Sequence, residues 1–319
     1  VSPTAADSSS VVRTVFFGSG RFAVPILDAL VGLPGIRVAG VVSAPDRPVG
    51  RKGILTPTPV ASRARELDLP LLQPQRVRKP EGVAAVRALA PDLAILADYG
   101  QLIPRELIDL PPRGFLNLHP SALPRHRGAA PISATILAGD EKSAVSLMLL
   151  TDEMDAGPIV AVEPLEVGPR DTAVSLEERA AEVAAALLVK ALPEWLAGRL
   201  EPRAQPEEGI TLSRPLRRED ALLDGAMRTA VELEAQVRAY QPWPGAYVET
   251  PVGRLIVWAA HVEPGEAGDL PGRLTTAGRD GLALATLSDR LALDEVQPAG
   301  GRRMTTAEAL RGRPGLVVR

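Results

Sequence analysis

The chain has 319 residues, enough for two domains of ordinary size, each with its own core. It contains no cysteine, which excludes disulfides, thiolate nucleophiles and cysteine-ligated zinc, and its three histidines, His119, His126 and His261, argue against a multi-histidine site, so no metal is expected. A formal net charge of −3 excludes nucleic-acid binding by bulk electrostatics, yet the 36 basic residues comprise 32 Arg and only 4 Lys, and arginine is the better phosphate ligand where local basic patches form.

Val1 to Ser10 is small and polar, and no later segment approaches the length of a membrane span. A soluble, cytoplasmic protein is therefore expected, with residues 1–11 as a flexible tail. Arg13 to Gly18 reads as a short apolar strand that breaks at Gly18-Ser19-Gly20, and Phe22, Val24, Ile26, Leu27 and Leu30 then mark a helix. Arg37 to Val42 is a second strand, Pro80 to Leu89 a helix, Leu93 to Ala97 a third strand, Phe115 to His119 a fourth and Ala144 to Leu150 a fifth. About Thr172 to Leu196 is helical, with a break or kink expected at Pro193.

This alternation predicts an α/β fold with a Rossmann-like, mostly parallel sheet, whose ligands bind beyond the carboxyl ends of the strands. A polar stretch with Pro202, Pro206 and Gly209 reads as a linker. Beyond it come one helix, Thr229 to Tyr240, and short runs at Ala246 to Thr250, Arg254 to His261, Gly272 to Thr275, Leu282 to Thr286 and Arg290 to Val296. Their spacing suggests a small antiparallel, OB-like β-barrel. The expected division is 12–200, a linker at 201–212, and 213–319. Trp195 and Trp258, rare aromatics in helix and strand contexts, read as core, and Trp243 reads as anchoring the helix end against the barrel in preference to stacking on a base.

The chemistry concentrates at the end of the fourth strand. Asn117 and His119 run into Pro120-Ser121-Ala122-Leu123-Pro124-Arg125-His126-Arg127-Gly128, and Asp155 follows in Glu153-Met154-Asp155-Ala156-Gly157-Pro158. An amide, an imidazole and a carboxylate can together hold a developing oxyanion and manage the proton of an attacking amine, as acyl transfer to nitrogen requires. Alone, Asn-x-His near a strand end is more often a hydrogen-bonding pair, and Asp-x-Gly a plain turn. The Arg-rich run between them favours a functional set. Gly18-Ser19-Gly20-Arg21-Phe22-Ala23 fits the permissive dinucleotide pattern, which makes an NAD(P)-dependent oxidoreductase the rival from another class. That fingerprint wants an acid at the end of the second strand, which here ends at Ser43.

Further blocks extend the pattern over nearly the whole chain: Phe22-Ala23-Val24-Pro25, Ala44-Pro45-Asp46-Arg47-Pro48-Val49-Gly50-Arg51, Thr56-Pro57-Thr58-Pro59-Val60, Tyr99-Gly100-Gln101-Leu102-Ile103-Pro104, Gln241-Pro242-Trp243-Pro244-Gly245 and Gln297-Pro298-Ala299-Gly300. In these the sequence resembles the methionyl-tRNA formyltransferase family of folate-dependent formyltransferases. The resemblance implies transfer of the formyl group of 10-formyltetrahydrofolate, a co-substrate, to the amino group of initiator methionyl-tRNA. It implies Asn117, His119 and Asp155 as the catalytic trio and Ser121, Ala122, Leu123 and Pro124 as the folate-contacting segment.

It also implies that the Asp46 to Val60 loop enters the acceptor stem, with Arg47, Arg51 and Lys52 as tRNA contacts and Arg51 as the key basic position. Arg214, Arg217 and Arg218, and Arg302 and Arg303, could contact phosphates further along. A monomer is expected. Three positions depart from the family pattern: Ala122 where a Leu is usual, Ser143-Ala144 where Thr-Gly is usual, and Gly225 where a Trp is customary. A folate-dependent amino-sugar N-formyltransferase, which would share the first domain's motifs, is the alternative acceptor reading. A tRNA-binding protein without catalysis is the third class, and the intact trio argues against it.

Overall fold

The structure, a computed structural model, describes residues 11–50, 53–278 and 280–316. Most of the expected amino-terminal tail, and Arg51 and Lys52 of the expected tRNA contacts, lie outside the described residues. The chain divides into two compact units, one of Val1–Pro131, Lys142–Glu166 and Glu177–Ser213, the other of Ile132–Glu141, Val167–Leu176 and Arg214–Arg319.

In chain order the elements up to residue 213 are β1 (Val12–Gly18), α1 (Ala23–Gly32), β2 (Ile36–Val42), β3 (Arg47–Val49), β4 (Ile54–Thr56), α2 (Pro59–Glu66), β5 (Leu71–Leu72), α3 (Pro80–Ala88), β6 (Leu93–Ala97) and α4 (Arg105–Ile108). They continue with β7 (Phe115–His119), β8 (Arg127–Gly128), α5 (Pro131–Leu137), β9 (Lys142–Leu149), β10 (Ile159–Glu166), α6 (Ala173–Leu196) and β11 (Leu212–Ser213). The main sheet of the first unit has the order β10-β9-β7-β6-β1-β2-β5. β5, β2, β1, β6 and β7 run parallel, while β9 is antiparallel to both β7 and β10.

The apolar runs of β1 and β6 follow from this placement, because a central parallel strand is covered on both faces: Val15, Phe16, Phe17, Leu93 and Ile95 are fully buried. Phe17 meets Tyr99 edge-on and Phe115 at a tilt, with ring centroids 5.5 and 5.0 Å apart. In β7 the period of two puts Asn117 and His119 on one face and Leu116 and Leu118 on the other, and all four are buried. The register sets Asn117 beside Met148 and His119 beside Ser146 of β9. β1 lies between β2 and β6, so the chain leaves it in opposite directions and opens the crevice where such sheets take ligands.

Of the break or kink expected at Pro193, the break does not occur: α6 runs through it to Leu196. Proline forfeits only one N–H near the last turn, where Trp195 is buried and donates to the Arg113 carbonyl at 2.9 Å, and that packing outweighs the lost bond. The stretch read as a linker is also more structured than its composition suggests. Ile159 and Arg203 exchange two backbone hydrogen bonds, and β11 pairs with β8 in parallel.

In the second unit an antiparallel, barrel-like sheet is built from β12 (Tyr247–Thr250), β13 (Gly253–Glu263), β14 (Leu274–Ala277), β15 (Gly281–Ala285), β16 (Arg290–Pro298) and β17 (Met304–Thr305), in the order β12-β13-β16-β15-β14 with β17 on β16. α7 (Ala230–Ala239), preceded by a capping box of Thr229 and Glu232, and α8 (Thr306–Gly312) supply Leu233, Val237 and Ala309 to its core.

Two of the three tryptophan expectations are corrected. Trp243 is 52% exposed, and Trp258 is half-buried, with Arg303 stacked over its ring and its indole N–H donating to Gln297. Side chains alternate between the faces of a strand, and Trp258 falls on the face opposite the buried Leu255 and Val257. Ala144 sits in β9 without a positive φ, so the missing glycine costs no strain there. Gly225 has no room for a side chain, because a Cβ would lie 2.3 Å from the Ala285 carbonyl oxygen.

Candidate active site

Asn117, His119 and Asp155 come together. Asn117 Nδ2 donates to Asp155 Oδ1 at 3.4 Å, and His119 Nδ1 lies 3.7 Å from Asp155 Oδ2. Asn117 and His119 are 4% and 5% exposed, so water is largely kept from their polar atoms. Between β7 and the turn that carries Asp155, an amide donor, a ring nitrogen and a carboxylate face one small volume.

The imidazole is held by a group other than the expected one. At 3.7 Å Asp155 makes no hydrogen bond to the ring; instead His119 Nε2 lies 3.0 Å from the His126 carbonyl. A carbonyl only accepts, so Nε2 must carry the hydrogen. In the neutral ring, Nδ1 then keeps its lone pair and faces Asp155, ready to take a proton. This is how a hydrogen bond on one imidazole nitrogen sets the role of the other.

Asp155 is positioned by backbone. Its φ is +52°, in the left-handed region that Asp tolerates better than most residues, and Gly128 N–H donates to its Oδ2 at 2.8 Å. Gly128 has φ +116°, and a Cβ there would sit 2.2 Å from the Ser213 carbonyl oxygen, so β8 and β11 can pair this closely only with glycine. His126 also has positive φ, and Thr211 bonds both its N–H at 2.8 Å and its Nδ1 at 3.3 Å. The site therefore includes His126, Gly128, Thr211 and Ser213, none of which the motif reading singled out. Their signal in the sequence was a glycine in an Arg-rich run, a Thr in the stretch read as linker and a Ser directly after it.

The segment expected to meet the folate donor is a tight turn after β7. Ser121 is fully buried, its hydroxyl donates to the Arg125 carbonyl at 2.7 Å, and its own carbonyl accepts from Ser146 at 2.7 Å. Its polar atoms are thus spent inside the protein. Leu123 is 8% exposed, and Ala122 and Pro124 keep partial surface.

The basic residues separate by pairing. Arg214 forms two bonds to Asp220 at 2.5 and 2.6 Å, and Arg302 and Arg303 pair with Glu308 and Glu295. Arg217 is exposed, 3.9 Å from Glu219. Arg47 and Arg218 are exposed and, among the described residues, have no ion-pair partner. Arg47 opens the β3–β4 hairpin, which also turns Ile54 and Leu55 outward, 63% and 68% exposed. It borders a cleft of about 390 Å³ at the ends of β1, β2 and β6, lined by Ser19, Gly20, Ala44, Thr58 and Asp98 among others.

The dinucleotide pattern is occupied from within. Ser19 and Gly20 N–H donate to the Asp98 carbonyl at 2.9 and 3.3 Å, and Phe22 N–H donates to the Glu177 carboxylate. A Cβ on Gly20 would lie 1.5 Å from Asp98 Oδ2. The turn's donors are already bonded, and an incoming pyrophosphate would meet two carboxylates. The glycines admit Asp98 rather than a phosphate.

Asp98 is exposed along the cleft, and partial desolvation of its carboxyl and, second, the Glu177 carboxylate push its pKa up to about 7. Burial also raises Glu177. A raised carboxyl pKa means that folding takes up a proton, so this contribution to stability falls as pH rises from roughly 4 to 7 and stays low above that. Asp98→Asn should gain stability over the parent through that window and keep the gain at pH 8, with little difference at pH 3.5. Thermal unfolding of both proteins across pH checks this, and an equal Tm difference at every pH would refute it.

Residues 12–192 match the family described as formyl transferase, and residues 215–314 match the formyl transferase C-terminal domain. Methionyl-tRNA formyltransferase of Halorhodospira halophila is 43% identical over 301 residues, covering 94% of this chain and 96% of that protein. That of Bacillus subtilis is 38% identical over 303 residues, covering 95% of each chain. Among solved structures, HypX of Aquifex aeolicus in complex with tetrahydrofolic acid aligns with 97% of this chain and 49% of its own, at TM-score 0.62 and 17% identity. The Helicobacter canadensis N-formyltransferase crystallised with folinic acid and dTDP-3-aminofucose covers 88% of this chain and 98% of its own, at TM-score 0.64 and 13% identity. Such distant likeness speaks for the fold, and the full-length relatives speak for more: the chain belongs to the methionyl-tRNA formyltransferases.

Proposed function

We propose that the trio built on β7 and the Asp155 turn catalyses direct attack of the amino group of initiator methionyl-tRNA on the formyl carbon of 10-formyltetrahydrofolate. The observation that carries this is the convergence of Asn117 Nδ2, His119 Nδ1 and Asp155 Oδ2 on one largely dry volume. The amine brings the nucleophile, and its pKa of about 7.7 to 8.0 leaves a usable neutral fraction near pH 7. As the new C–N bond forms, the formyl oxygen becomes an oxyanion that the second Asn117 amide hydrogen can meet, with His119 donating from Nδ1 once it is protonated. The proton leaving the ammonium passes to Asp155 or, through it, to His119. Collapse returns the C=O, breaks the bond to the donor nitrogen, and delivers a proton there.

The Ala122–Pro124 turn directly after His119 supports a donor site beside the trio, with Ser121 holding the turn from inside. For the acceptor, the unpaired Arg47 and the outward Ile54 and Leu55 suit phosphates and an exposed terminal base pair. Arg51 and Lys52, beyond the described residues, belong to the same loop by sequence, and Arg217 and Arg218 follow in the second unit. A nucleotide-linked amino sugar also carries phosphates but is too short to use basic residues spread over both units, so parallel assays with methionyl-tRNA and with such a sugar separate the two acceptors.

Removing one oxyanion donor costs on the order of 100- to 1000-fold in rate. Asn117→Ala should lose that much kcat, and His119→Ala and Asp155→Asn should nearly abolish formylation while circular dichroism and Tm stay close to the parent. Normal turnover in any of the three would remove that residue from the chemistry. Arg47→Ala should raise KM for methionyl-tRNA and lower by about one the slope of log affinity against log salt, since one phosphate contact is lost. An unchanged slope would take the hairpin out of the tRNA surface.

A further inference from the structure

Gln205 lies in the stretch whose composition reads as linker, yet its side chain is bonded at every position. Nε2 donates to the Asp155 carbonyl and to the Gly157 carbonyl, both at 2.8 Å, and Oε1 accepts from Arg127 Nε at 3.0 Å. Two carbonyls and a guanidinium leave the amide a single possible orientation. Nε2 also lies 3.9 Å from Met148 Sδ, on the residue that pairs with Asn117 in the sheet. Arg127, 8% exposed, precedes the Gly128 whose N–H holds the Asp155 carboxylate.

We infer that Gln205 is a positioning residue for formyl transfer, setting the left-handed backbone of the Asp155 turn and, through it, the direction of the Asp155 carboxylate. Gln205 acts through Asp155 and meets no reacting atom. The turn needs such a brace. Asp155 has positive φ, and at Gly157 a Cβ would lie 1.8 Å from the Leu149 carbonyl oxygen, so the chain is pressed against β9 with its carbonyls directed at the one donor group that satisfies both. Arg127 then ties the brace to the segment that holds the other side of the carboxylate. Without Gln205 the Asp155 and Gly157 carbonyls lose their shared partner, and the peptide after Asp155 can turn.

The inference rests on Asp155 handling the proton, as proposed above. The test uses the full chain with Gln205→Met, which keeps the length of the side chain, and Gln205→Glu, which keeps an acceptor for Arg127 but sets a carboxylate against two carbonyls. Misplacing a catalytic group by an ångström costs on the order of 100-fold in rate. Both variants should lose about 10- to 100-fold in kcat, with KM for methionyl-tRNA and for the donor changed less than about threefold and a displaced pH profile of kcat. A kcat and pH profile like those of the parent would overturn it, as would a loss matched by the unfolded fraction with the profile unmoved. Should Gln205→Met not fold, Gln205→Glu carries the same test. Absence of formylation by the parent would instead refute the functional reading, so the two failures are distinguishable.

Discussion

The site depends on two backbone groups of one short segment, the His126 carbonyl and the Gly128 N–H. The carbonyl faces His119 Nε2 and the N–H faces Asp155 Oδ2, so one turn of chain holds the imidazole and the carboxylate at a set spacing. Both residues need positive φ to present these groups, at a cost of order 1–3 kcal/mol for the non-glycine residue. Bonds from Thr211 and pairing with β11 offset that cost. Backbone groups suit this task, because they carry no rotamers to be lost when the substrate binds and cannot be swapped for a different charge.

From that constraint follows the division of labour on the trio. Asn117 and His119 are supplied by a fully buried strand, which gives rigidity, whereas Asp155 comes from a turn strained against β9 and Gly128. The imidazole's Nε2 is spent on structure, which leaves Nδ1 for the chemistry proposed above. The same economy shows at the amino-terminal turn, where glycines that resemble a phosphate cradle accommodate the Asp98 backbone and carboxylate, and at Ser121, whose hydroxyl closes its own loop.

Much of this was legible in the sequence because period and chemistry agree there. Phe115 to His119 alternates as a strand must, and the core strands at Leu93 and Phe115 were placed to the residue. What was not legible depends on contacts far apart in the chain. Gln205, Thr211 and Ser213 sit among Pro, Glu and Gly, a composition that normally means an unpacked connector, and only pairing 48 to 85 residues away turns them into a wall of the site. At Pro193 the converse holds, since the local tendency of proline to end a helix yields to Trp195 packing. Trp243 misled because rarity and size favour burial only on average, and here the ring is largely exposed.

Whether the His126 carbonyl holds His119 as its Nε2–H tautomer, with Nδ1 left for the proposed reaction, is read out by nitrogen-15 NMR of the imidazole in the free enzyme. With three histidines in the chain, His119→Gln assigns the signal. The neutral ring should carry its hydrogen on Nε2, with Nδ1 at the shift of an unprotonated nitrogen. A neutral ring protonated on Nδ1 would contradict it, because Nε2 would then have no hydrogen to give the carbonyl.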